Sequence, residues 1–149
     1  MERRLSTSSF WKTCDSDGAT AFNYLGSVLR MILNVTPPQR DKTSHSLRKA
    51  FGAGATAAVA EEFEQRLGIE LVEVYGLTEA PMATVNRRHR SPPGSAGRAS
   101  DLFEVAVVDE SDNLLPPDTI GEIVMRPKVP DAMMTGYLNN DAATVAAQQ

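Results

Sequence analysis

The sequence predicts an α/β fold: a partial parallel sheet with flanking helices, followed by the start of a small antiparallel β subdomain. Three observations carry this. Between residues 19 and 74, short apolar runs alternate with two segments of helical periodicity. A small-residue turn, Gly52-Ala53-Gly54-Ala55, joins one of those runs to the second helix. After Pro81 the pattern changes to a Pro/Gly-bearing stretch and then two alternating runs joined by polar residues. The expected division is residues 1–90 for the α/β part and 91–149 for a linker and partial β subdomain.

Ala19 to Tyr24 reads as a short strand. Leu25, Val28, Leu29, Ile32 and Leu33 then recur at i, i+3, i+4, i+7 and i+8, one apolar face of a helix, and Pro37-Pro38 stands past its end. Leu47 to Phe51 reads as a buried strand. Thr56 suits an N-cap, because its hydroxyl can accept from an orphan backbone N–H in the next turn. The helix that follows carries Val59, Phe63 and Leu67 on one face, with Gly68 placed to end it. Ile69 to Val74 is the next strand. Strand–helix–strand spacing of this kind implies right-handed crossovers and parallel pairing. Asn86 to Ala96 reads as a loop, Phe103 to Asp109 and Gly121 to Arg126 as an antiparallel pair, and Ser111-Asp112-Asn113 as a turn. From Pro127 the chain reads as a turn at Thr135-Gly136-Tyr137 and a short polar-alanine end.

Bulk composition narrows the function classes. Hydrophobic residues make up 42% and charged residues 23% of 149, which suits one globular core and not wholesale disorder. A net charge of -4 gives no general attraction to nucleic acid. Cys14 is the sole cysteine, so no internal disulfide forms, and a reducing cytoplasm is the expected compartment. No apolar run approaches the ~18 residues of a membrane span. The first nine residues lack the apolar core of a secretory signal. Arg87-Arg88-His89-Arg90 reads as a solvated loop. His45 and His89 have no ligand-spaced partner. Trp11 beside Phe10 reads as a core or interface anchor.

Ligands of an open parallel sheet gather at the carboxyl ends of its strands, where two candidate segments fall. One is Val74-Tyr75-Gly76-Leu77-Thr78-Glu79: a ring to stack on a base, a glycine for close approach, a hydroxyl for phosphate and a carboxylate for Mg²⁺. The other is Gly52 to Ala57, which fits G-x-G-x-x-A between strand and helix, with Glu73 following by about 20 residues. Alone, that second pattern suggests an NAD-dependent oxidoreductase in which Glu73 binds a ribose hydroxyl. A dinucleotide domain should continue in further βαβ units, whereas this chain turns to a Pro/Gly loop and antiparallel strands.

In order along the chain, several segments resemble landmarks of the adenylate-forming (AMP-binding) enzymes, in particular the acyl-CoA synthetases and the carnitine/crotonobetaine-CoA ligases. Phe51 to Ala55 resembles their Gly-Ala turn, and Tyr75 to Glu79 their Tyr-Gly-x-Thr-Glu motif. Pro93-Gly94-Ser95-Ala96-Gly97 resembles Pro-Gly-Ser-x-Gly. Gly121-Glu122-Ile123 and Gly136-Tyr137-Leu138-Asn139 resemble two further landmarks of the large N-terminal domain. The resemblance implies that Tyr75 stacks on adenine, Thr78 bonds the α-phosphate and Glu79 helps hold Mg²⁺. It further implies that Gly54, Ala55, Glu73, Val74 and Gly76 form the wall of the nucleotide and acyl pocket. The reaction it implies joins a carboxylic acid to coenzyme A through an acyl-adenylate made from ATP.

No segment matches the family's Ser/Thr/Gly-rich phosphate loop, its ribose-binding Thr-Gly-Asp, its hinge or its catalytic lysine. Lys12, Lys42, Lys49 and Lys128 fit none of these positions. The expectation is therefore a fragment of the large domain, inactive alone, with the missing portions or an oligomer partner needed for turnover. A non-catalytic interaction fragment is the remaining alternative.

Overall fold

The computed structural model describes residues 6–87, 91–92 and 94–148. It divides into two compact units: Met1–Val74 with Asn86–Gly97, and Tyr75–Val85 with Arg98–Gln149. Five strands in the order β1-β2-β3-β4-β5 make one mixed sheet, and β6 and β7 make a second, two-stranded one. The expected α/β class, with a small antiparallel sheet to follow, is what the chain forms.

The first unit opens with a helix that the sequence pattern did not reveal, α1 (Phe10–Asp17). Gly18 ends it at φ 61°, its N–H returned to the last turn. Phe10, Trp11 and Cys14 are its buried face. In eight residues such a stripe shows too few repeats to be told from an irregular segment. Then come β1 (Ala21–Leu25), α2 (Gly26–Val35), β2 (Lys49–Ala53), α3 (Ala57–Leu67) and β3 (Glu70–Tyr75). β1 and β2 run parallel, Ala21 opposite Lys49 through Leu25 opposite Ala53. β2 and β3 are parallel as well, Lys49 opposite Glu70 through Gly52 opposite Glu73.

The strands begin one or two residues later than the apolar runs suggested. Leu47 and Ile69 are fully buried, yet each stands just before its ladder. Backbone exchange starts beyond them, where the Arg48 N–H donates to the Thr20 carbonyl (2.8 Å) and the Glu70 N–H to the Arg48 carbonyl (2.9 Å). Hydrophobicity marks burial there, not pairing. Thr56 does cap α3, its hydroxyl accepting from the Val59 N–H at 3.4 Å, an arrangement worth about 1 kcal/mol. Gly68 closes the helix in the left-handed region.

The core of this unit is Tyr24, Leu29, Ile32, Leu33, Leu47, Ala50, Val59, Phe63, Leu67, Ile69 and Leu71, with the α1 face against it. Phe10 meets Trp11 and Phe22 edge-on, with ring centroids 5.1 Å apart in both pairs. The Trp11 indole N–H donates to the Thr36 hydroxyl at 2.9 Å, and the Arg40 guanidinium lies 4.4 Å from the ring.

The second unit holds β5 (Arg98–Ala99), β6 (Phe103–Val108), β7 (Glu122–Pro127) and α4 (Asp141–Ala147); β4 (Thr84–Asn86) runs from it into the loop after it. Thr84 faces Ala99 and Val85 faces Arg98 in an antiparallel pair. The stretch read as a loop from Asn86 thus begins as the end of a strand. Three residues opposite two are too short for a periodic signature. β6 and β7 pair antiparallel as expected, Phe103 opposite Pro127 through Val108 opposite Glu122. The polar-alanine end is a helix, not a tail: the Asn140 side chain accepts from the Ala143 N–H at 3.2 Å. The core here is small: Ala80, Ala83 and Phe103, with Val105, Met125, Ala132 and Met133 packed against it. Arg88, His89, Arg90 and Pro93, which belong to the basic cluster and the Pro-Gly-Ser-x-Gly segment, lie outside the described residues, as does the start of the chain through Leu5.

Candidate functional site

In the first unit, β1 and β2 end side by side, and small residues let their exits close together. A side chain on Gly26 would collide with the Gly54 backbone, and one on Gly52 with the Tyr24 backbone and ring. Gly54 sits at φ 84°, a left-handed turn that other residues enter only with strain. Between β2 and α3 this turn points two consecutive N–H groups the same way. The Glu73 side chain, from the neighbouring strand, takes both. Its Oε1 accepts from the Gly54 N–H, and the Ala55 N–H lies 3.2 Å from each carboxylate oxygen. Oε2 also accepts from the Tyr24 hydroxyl at 2.8 Å. Burial, and then the Glu73 carboxylate beside it, push the Tyr24 phenol far above its usual pKa, so it stays a donor. Gly54, Ala55 and Glu73, singled out in sequence, are therefore brought together. Val74 follows in β3, half-buried.

In the second unit, Tyr75 leaves β3 partly exposed. A Cβ on Gly76 would lie 2.6 Å from the Met82 nitrogen and 2.7 Å from the Ala80 oxygen, so only glycine fits. The Leu77 N–H donates to the Ala80 carbonyl at 3.1 Å and closes the turn. Thr78 is exposed at its tip. The Glu79 carbonyl accepts from the Met134 N–H at 2.8 Å, and its carboxylate accepts from the Tyr137 hydroxyl at 2.5 Å. That phenol, with the residue's own backbone N–H, holds the Glu79 carboxyl below the usual carboxylate range, and the bond raises Tyr137 in return. Tyr75, Gly76, Thr78 and Glu79 thus share one tight turn carrying an ionised carboxylate and an exposed hydroxyl.

Two tyrosines escaped sequence reasoning as site residues. In sequence, Tyr24 stands at the end of a predicted strand and Tyr137 within a predicted turn. Each acts on a glutamate about 50 or more positions away, a separation no local pattern encodes. Among the described residues no cluster of three or more His, Cys, Asp or Glu could hold a metal alone. Mg²⁺ ordinarily keeps one or two carboxylates and takes its other oxygens from phosphate and water, so a half-buried, ionised Glu79 fits that donor set. The dinucleotide reading is not favoured. The acid that should meet a ribose hydroxyl is occupied by the turn itself. The loop before β5 has its own clasp: the Asn86 side-chain amide donates to the Ser95 carbonyl at 2.7 Å.

Known proteins resemble this chain in sequence and in fold. Human long-chain fatty acid transport protein 3 is 34% identical over 105 residues, 70% of this chain and 15% of that protein. Human mitochondrial acyl-coenzyme A synthetase ACSM3 is 31% identical over an alignment covering 96% of this chain and 25% of that protein. The fold matches O-succinylbenzoate coenzyme A synthetase from Bacillus subtilis, solved with AMP, at a TM-score of 0.82 and 22% identity, over 99% of this chain and 30% of that one. The chain spans a quarter or less of the length of these two curated relatives. The model of the family described as AMP-binding enzyme matches residues 1–138, and the chain belongs to that family.

Proposed function

We propose that this chain supplies part of the large domain of an ATP-dependent acid–thiol ligase, an acyl-CoA synthetase. The single observation that carries the reading is the Tyr75–Glu79 turn, with Glu79 held ionised by Tyr137 beside an exposed Thr78. In the proposed reaction a substrate carboxylate oxygen attacks the α-phosphorus of ATP and pyrophosphate leaves. The thiol of coenzyme A then displaces AMP from the acyl-adenylate. Chemistry of this kind needs mostly positioning and charge neutralisation from the protein.

Tyr75 stacks on the adenine ring and the Thr78 hydroxyl donates to the α-phosphate. Glu79 is the residue that would hold Mg²⁺, which when bound offsets phosphate charge. Gly54 and Ala55 give a small-residue wall, while Glu73 and Val74 line it. A reducing, cytoplasmic setting is part of the proposal, supported by a lone cysteine, Cys14, that is buried and unbridged. Among the described residues no helix is long and apolar enough to cross a membrane.

Titrating ATP with and without Mg²⁺ into the ¹⁵N-labelled chain tests this. The amides of Tyr75 to Glu79 should move, Tyr75→Ala should weaken binding, and Glu79→Gln should abolish the Mg²⁺ dependence. Movement confined to Gly52–Ala57 with NADH, and none with ATP, would overturn it.

A further inference from the structure

The Gly54–Ala55 turn has the makings of an anion cradle. Two successive N–H groups converge in the turn just ahead of the α3 N-cap, a geometry that suits an anion. In this chain the cradle is already filled from within. We propose that Glu73 is a positioning residue, an internal anion that occupies the donors of the Gly54–Ala55 turn, fixes its shape and denies it to phosphate. The inference deepens the nucleotide reading above and rests on it only for the consequence drawn for AMP.

Four contacts define the arrangement. The Gly54 N–H bonds Oε1, the Ala55 N–H spans both oxygens at 3.2 Å, and the Tyr24 hydroxyl bonds Oε2 at 2.8 Å. Tyr24 is 2% exposed, so the phenol cannot swing away to water. Gly26, pressed on the Gly54 backbone, blocks the turn from relaxing toward α2. A carboxylate accepting several charge-assisted bonds in a fixed frame leaves no donor for a second anion, and its own charge repels one. On the nucleotide reading, the turn then offers a ligand its carbonyl and methyl groups and not its N–H donors.

Amide hydrogen exchange and ¹⁵N shifts on the full chain, with inorganic phosphate and AMP as probes, test the proposal. In the unaltered chain the Gly54 and Ala55 amides should be protected and should not move with phosphate. In Glu73→Ala their protection should fall roughly tenfold or more, and both should shift as phosphate is added. AMP affinity should drop about tenfold in that variant. Glu73→Gln, which keeps an acceptor oxygen but not the charge, should recover most of the affinity.

Saturable movement of the two amides with phosphate in the unaltered chain would overturn the proposal, as would full protection in folded Glu73→Ala. Should Glu73→Ala not fold, Glu73→Gln decides. A neutral acceptor holds N–H groups more weakly, so a measurable loss of protection supports the idea and unchanged protection refutes it. Failure of the unaltered chain to bind AMP would sink the ligase reading alone, because the exchange and phosphate readings are taken without nucleotide. Equal AMP affinity in all three chains would refute the consequence for the nucleotide.

Discussion

Glu73 and Glu79 lie six positions apart in sequence and are held in opposite ways. The first takes two backbone N–H groups and a buried phenol, all from its own unit. The second sits on an exposed turn under one long-range side-chain bond, from Tyr137, which stands in the connection before a marginal helix. Surrounding packing follows the same division. Glu73 borders a core of aromatic and branched side chains, whereas the Glu79 segment leans on Ala80, Ala83 and Phe103. A carboxylate whose acceptor sites are used within the protein is architecture. One that is only half-buried and held ionised by a single phenol is the residue the proposed function assigns to a cation. On the proposed reading, chemistry and rigidity are separated between two residues of the same type.

The contrast can be broken at its foundation first. Phe63, fully buried in the first unit, should cost about 3–5 kcal/mol when truncated to alanine, read by denaturant unfolding. Protection at Gly54 should fall with it, while the Glu79–Tyr137 bond should persist under native conditions. Loss of both together would show that the two regions do not differ in what supports them. Next in size, Tyr24→Phe removes one donor from Glu73 and should cost about 1 kcal/mol. A neutral effect would mean that the backbone donors suffice.

A smaller effect should appear at His45, whose imidazole is buried. Burial, then Arg40 and Arg48, hold its pKa below the usual value, against weaker opposing pulls from Asp15 and the Leu47 backbone. The folded chain therefore binds its proton less readily than the unfolded one. Stability should be full above the unfolded pKa of about 6.5 and decline as pH falls below it. Urea midpoints between about pH 5.5 and 7.5 measure this, and a flat profile that His45→Gln leaves unchanged would refute it. The smallest change should come from Tyr137→Phe. Global stability should barely move, but the Glu79 carboxyl titration, followed by NMR, should rise toward the ordinary carboxylate range. An unmoved midpoint would erase the distinction between the two glutamates.

Much of the first unit could be read from the chain because its elements repeat their period several times. Val59, Phe63 and Leu67 mark one helix face, and Thr56 and Gly68 punctuate it. α1 and the β4–β5 pair were not legible for the opposite reason: eight, three and two residues are too few to establish a period. α4 was hidden by its own composition, since none of its residues is buried and no apolar stripe announces it. At the candidate site, residue types and order pointed to Gly54, Glu73 and the Tyr75–Glu79 turn. What sequence could not supply was the pairing. That Glu73 would turn inward on Gly54 while Glu79 met Tyr137 depends on strand register and chain return.

Trp11 is the chain's only indole, and its setting gives the molecule a built-in optical reporter. Its N–H is tied to Thr36, a guanidinium covers one side, and the His45 ring lies 5.2 Å away. Tryptophan emission will therefore report on the packing of the first unit. It should register protonation of that imidazole and stay silent if the β6–β7 hairpin frays. The three tyrosines, two of them bonded to the contrasted glutamates, supply the complementary signal. A melt followed at both colours would show whether the halves of this chain come apart together or in turn.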